Sequence, residues 1–115
     1  MAYKEMKVAN TKEGGIKSFA FEYEVSLASV TTSDWILIPD DVKAIQMTLS
    51  VGGGGKGKVQ FSTDNVDTVK TGSPIAIDWP AGEVAVNTAD SAKPATAFRL
   101  NQTFAGTTKL TLRAQ

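Results

Sequence analysis

The segment that most resembles a chemical motif is Gly52-Gly53-Gly54-Gly55-Lys56-Gly57-Lys58. Gly52, Gly57 and Lys58 have the spacing of a phosphate-binding loop, and Gly52, Gly54 and Gly57 that of a dinucleotide fingerprint. Both motifs need a helix directly after the loop, because the helix N-terminus holds the phosphate. Here Lys58-Val59-Gln60-Phe61-Ser62 follows and alternates as a strand, and Val59 stands where a magnesium-binding hydroxyl belongs. The run is therefore expected to be a hairpin tip joining two antiparallel strands. Its functional alternative is a tip that orders on a partner, with its lysines against acidic surface or nucleic acid.

The other chemistry-bearing residues are carboxylates and tryptophans. Glycoside hydrolysis needs two facing acids. Glu22 and Glu24 lie two apart on one solvent face of a strand, Asp40-Asp41 belongs to a turn, and Asp64 with Asp67 belongs to a cap or loop. Asp64, Asn65 and Asp67 offer oxygen ligands to a hard cation, but not at EF-hand spacing. Trp35 and Trp79 are candidate sugar-stacking platforms. Both are expected in the core, Trp79 the more exposed because Pro80-Ala81-Gly82 ends its strand. Asn101-Gln102-Thr103 matches a glycosylation acceptor by chance, since no secretion signal accompanies it.

Two residue types are missing. Without cysteine there is no disulfide, thiolate zinc site or sulfur nucleophile. Without histidine the commonest metal ligand and neutral-pH general base are gone. The expectation is a non-enzymatic domain with no cofactor and no metal, which works by binding other surfaces.

The elements that position these residues follow a period of two. Phe19, Phe21, Tyr23, Val25 and Leu27 alternate with Ala20, Glu22, Glu24 and Ser26. Ile45, Met47, Leu49 and Val51 repeat the pattern, as do Val59 and Phe61, then Leu110, Leu112 and Ala114. Trp35-Ile36-Leu37-Ile38 stops at Pro39, Ile75 to Trp79 stops at Pro80, and Thr96 to Leu100 is a further strand turned by Ala105-Gly106-Thr107. Turn signals recur about every ten residues, and the class expected is all-β. The architecture is a single β-sandwich or jelly-roll-like domain of about seven or eight mostly antiparallel strands. One short helical turn is expected over Asp64 to Lys70, capped by Ser62 or Thr63 and followed by Gly72. Thr88 to Pro94 is expected to be a loop.

The chain has 115 residues, enough for one core. Its twelve basic and twelve acidic residues are scattered, so no field draws it to nucleic acid or anionic membrane. No apolar run suits a signal peptide or a membrane helix. Residues 1–15 are expected to be a polar N-terminal arm that orders on a partner, and 16–115 the sandwich.

Ile38-Pro39-Asp40-Asp41-Val42-Lys43-Ala44-Ile45, the glycine tip, Val59-Gln60-Phe61-Ser62-Thr63 and the short Asp/Val segment after it resemble small virion structural proteins of tailed bacteriophages. So do Asp78-Trp79-Pro80-Ala81-Gly82-Glu83 and the ending Leu112-Arg113-Ala114-Gln115; the likeness runs from Asp34 to Gln115. The resemblance implies a compact β-sandwich or jelly roll that decorates capsid shells as a cement protein, or serves in a neck, tail or fibre. It implies synthesis in a bacterial cytoplasm, a place in the virion, and docking on the major capsid protein or another virion protein. A homo-oligomer, expected as a trimer, goes with that role, and binding to nucleic acid or membrane does not. The expected contact residues are Tyr3, Lys4 and Met6 in the arm, Gly53, Gly54 and Lys56 at the tip, and Trp79. A carbohydrate-binding β-sandwich is the alternative of a different class.

Overall fold

A computed structural model describes residues 3–8, 21–40 and 42–115. Phe19, Ala20, Asp41 and residues 9–15 of the expected arm lie outside them. The strands are β1 (Tyr3–Glu5), β2 (Lys7–Val8), β3 (Phe21–Leu27), β4 (Thr31–Thr32), β5 (Trp35–Leu37), β6 (Ile45–Gly52), β7 (Lys56–Ser62), β8 (Ile77–Asp78), β9 (Thr88–Ala92), β10 (Ala97–Phe104) and β11 (Thr107–Ala114). One helix, α1 (Val66–Lys70), lies between β7 and β8.

The alternating residues build the core as their period requires. Leu110, Leu112 and Ala114 of β11 are fully buried, and so are Phe98 and Leu100 of β10. β11 is central in a sheet ordered β2-β3-β11-β6-β9, and β10 is central in a sheet ordered β1-β5-β10-β7-β8, with β4 also on β10. Ile36, Val59, Phe98 and Leu100 from one sheet meet Ile45, Met47, Leu49, Leu110 and Leu112 from the other. The fold is an all-β sandwich, and each of these larger side chains contributes roughly 1.5–3 kcal/mol by leaving water.

The unbroken run at Trp35 has a different cause. Ile36 faces the main core, while Trp35 and Leu37 face outward and are covered by Val69 of α1 and by Ala97. A strand buried on both faces shows no alternation. The helix is shorter than expected and capped by Asn65, whose Oδ1 accepts the Thr68 N–H at 2.8 Å. Ser62, offered as a cap from sequence, is instead buried at the end of β7. Gly72 follows the helix with φ 89°.

Three expectations are corrected. Thr88–Ala92 is not a loop but edge strand β9, paired with β6 from Ile45↔Ala92 to Leu49↔Thr88. Its pairing is made by backbone, so its small polar side chains leave no hydrophobic period. The glycine tip does not join paired strands, because β6 and β7 belong to different sheets. It is an arch over the end of the sandwich, turning at Gly53 (φ 63°) and Gly54 (φ 77°) with Gly55 N–H donating to Gly52 O at 3.1 Å.

The third correction concerns the arm. Tyr3–Glu5 pair in parallel with Trp35–Leu37, and Lys7–Val8 pair antiparallel with Phe21 and Glu22. Met6 lies where the chain crosses from one sheet to the other and is 8% exposed within the main core. Residues 3–8 are thus edge strands of both sheets: their backbone groups find ladder partners there, and Met6 adds a core side chain.

Candidate docking surface

β3 carries the site because, among the described residues, the sandwich is incomplete beside it. Phe21, Tyr23, Val25 and Leu27 face inward and pack on the core, yet each stays only half-buried. The equivalent residues of neighbouring β11 are fully buried. Two features leave β3 open. β2 pairs only with Phe21 and Glu22, so among the described residues no strand lies against the outer edge of Tyr23–Leu27. Across the core, β4 is just two residues long. The result is a slot lined by Lys4, Tyr23, Val25, Leu27, Thr32, Ser33 and Asp34. On the other face of β3, Glu22 pairs with Arg113, and Glu24 lies 4.0 Å from Lys109 Nζ. These exposed pairs add little stability, but they cancel charge along the edge.

The expected contact residues fall in three separate places. Tyr3 and Lys4 are on β1, at one edge of their sheet. Lys4 is exposed at the slot, while Tyr3 is half-buried with Lys70 Nζ 5.4 Å from its ring centroid. Met6 is a core residue and is not available to a partner. Gly53 and Gly54 are exposed on the arch, and Lys56 Nζ lies 5.0 Å from the centroid of Phe104. Sequence reasoning missed Phe104, which is 57% exposed directly before the Ala105-Gly106 turn. It read Tyr23, Val25 and Leu27 only as one face of a strand, because alternation shows which face is apolar and not which strand ends the sheet.

Trp79 follows β8 at the opposite edge from β1. Its Nε1–H donates to Asp90 Oδ2 at 2.8 Å, and its ring meets Phe61 edge-on at 5.6 Å and Phe98 at 6.1 Å. The seam beside it, lined by Met47, Leu49, Val59 and Val84 among others, encloses about 20 Å³. That is room for a water, not for a sugar. Trp35 is 2% exposed, with the Arg99 guanidinium 4.4 Å from its ring centroid. Neither tryptophan offers an open stacking face, and burial lowers the pKa of Arg99.

The carboxylates are occupied as clamps. Asp78 accepts from Gln60 Nε2 at 2.9 Å and Lys58 Nζ at 3.0 Å; these bonds hold it below its ordinary pKa. Asp90 is held low by the Trp79 N–H and the Ser91 backbone N–H. Asp64 accepts the Ile75 N–H at 2.7 Å and Asn65 caps α1, so two of the three residues offered as calcium ligands are engaged in local structure. Among the described residues no three acids gather to hold a metal.

No protein-family model matches this chain, and no curated protein matches it either. Among solved structures the chain is similar to a protein of Bacillus endospore appendages, described as a novel family of disulfide-linked pili. The identity is 17% and the TM-score 0.44, over 93% of this chain and 96% of that one. It is also similar to PliG of Aeromonas hydrophila, a periplasmic inhibitor of g-type lysozyme. There the identity is 12% and the TM-score 0.38, over 99% of this chain and 100% of that one. Likeness at this level transfers neither family nor activity, so function rests on the chain's own surface.

Proposed function

We propose that this chain is a non-enzymatic virion structural protein of a tailed bacteriophage, and specifically a decoration protein that binds the assembled shell as a homo-oligomer. The observation that carries this reading is the open β3 edge with its half-exposed Tyr23, Val25 and Leu27. Such an edge presents backbone groups with no ladder partner among the described residues together with apolar surface, the two things strand addition to a neighbour uses. The resemblance of Asp34 to Gln115 to small phage proteins supports the virion setting. Balanced charge supports it too, since a neutral shell protein does not adhere to packaged DNA.

The test is co-sedimentation of the purified chain with DNA-free shells of a tailed phage, followed by heating of the shells with and without it. Binding in a fixed ratio to shell subunits, with a raised shell melting temperature, is the expected result. Binding to purified tail or neck protein but not to shells would move the chain to that part of the virion. Binding to neither would overturn the reading.

A further inference from the structure

We propose that the open edge of β3 pairs antiparallel with β3 of a second copy, in a register centred on Val25. This deepens the reading above, on which it rests, by naming the occupant of the open edge. The stretch left uncovered by β2 is Tyr23–Leu27, with Val25 at its middle. A two-fold axis through Val25 sets Val25 against Val25, Tyr23 against Leu27 and Glu24 against Ser26 of the other copy. All three inward positions then meet apolar partners, and the only acid in the stretch meets a hydroxyl.

Other registers fail on the same residues. Centring on Glu24 opposes two glutamates and runs into β2 at Glu22. Centring on Ser26 leaves Tyr23 opposite Ser29. A slip by one residue sets inward against outward side chains. The charge that would repel is already cancelled within each copy, by Arg113 at Glu22 and Lys109 at Glu24.

The remaining edges are poorer. β2 and β8 are two residues long, and β1 is three with Lys4 and Glu5 exposed. On β9 the inward positions include Thr88 and Asp90, which leave no apolar strip. Pairing through β3 joins the five-stranded sheets of both copies into one continuous sheet. It brings the half-exposed Tyr23, Val25 and Leu27 of both copies together over adjoining slots. An isologous edge closes after two copies, so this contact makes a pair and not the trimer expected from sequence.

Sedimentation of the full chain over a range of concentrations should show a monomer–dimer equilibrium. Because the chain has no cysteine, Val25→Cys introduces a single thiol. Opposed Cα atoms in an antiparallel pair lie about 4.5–5.5 Å apart, within disulfide reach. Oxidised Val25→Cys should therefore become a covalent dimer, whereas Ala89→Cys on β9 should not. Ser26 faces Lys109 within its own chain and Glu24 across the axis. Ser26→Glu should thus raise monomer stability yet weaken dimerisation about tenfold, and Ser26→Lys should do the reverse. Loss of folding cannot produce that opposition. A chain that stays monomeric, Val25→Cys that cross-links no faster than Ala89→Cys, or dimerisation that follows monomer stability would each sink the pairing. Shell binding by a monomer would remove the pairing and keep the virion role; dimers indifferent to shells and tails would do the opposite.

Discussion

Gly106 is the most tightly packed glycine among the described residues. A Cβ there would lie 2.3 Å from Gly55 N and 2.4 Å from Gly55 Cα, because the β10–β11 turn stacks directly on the glycine arch. Those neighbours are backbone and cannot rotate away. Gly106→Ala should lower stability by about 3 kcal/mol in urea unfolding. Gly54 has open space around it but φ 77°, so Gly54→Ala should cost only about 1–2 kcal/mol. Gly52 has neither crowding nor a positive φ, and Gly52→Ala should leave stability unchanged or raise it by about 0.5 kcal/mol. This graded order, measured by urea midpoints, checks the packing of the two arches. Asp90 makes a second prediction at this scale. Its folded pKa is depressed by the Trp79 and Ser91 N–H groups. Its stabilising contribution is therefore complete above the ordinary aspartate value of 3.8 and fades as pH falls through the folded value. The stability gap between wild type and Asp90→Asn should be constant near neutrality and narrow below about pH 4, followed by thermal melts across pH.

Elements show where the sequence was legible and where it was not. The long strands declared themselves because one face meets a core: Ile45, Met47 and Leu49 on β6, and Leu110, Leu112 and Ala114 on β11, are all buried. The short edge strands did not. β9 pairs through its backbone alone, and β1 and β2 are too brief to show any period. Sheet membership was equally hidden. An arch and a hairpin have the same glycine-rich turn, and only the partners of β6 and β7 tell them apart. The site suffered most, since Val25 looks the same in sequence whether its strand is central or at an edge. Met6 supplies the prediction at this scale. As a buried crossing residue between β1 and β2, its loss should matter more than its place in a polar segment suggests. Met6→Ala should destabilise by about 2 kcal/mol, whereas exposed Lys4→Ala should stay within about 0.5 kcal/mol, both read from urea midpoints.

The whole molecule is tied together by its last two strands. β10 is the hub of one sheet, holding β4, β5 and β7, and β11 is the hub of the other, holding β3 and β6. They follow one another directly through the turn at Ala105-Gly106, so neither sheet completes without the C-terminal strands. The buried pair between them reinforces this: Thr108 Oγ1 donates to Gln102 Oε1 at 2.7 Å, and Gln102 Nε2 donates to Gly106 O at 2.9 Å. Shared hubs and a shared core argue against separate unfolding of the sheets, and the two tryptophans test this. Trp35 sits on the outer face beneath α1, and Trp79 sits at the inter-sheet seam. In Trp79→Phe the fluorescence reports the outer layer, and in Trp35→Phe it reports the seam. Within each variant the fluorescence midpoint should coincide with that from far-ultraviolet circular dichroism, because one transition governs both regions. If the Trp35 signal were lost at lower urea than the circular dichroism, α1 and its cover would be a separate, weaker layer. The hubs would then bind the sheets to each other but not to the helix that lies over them.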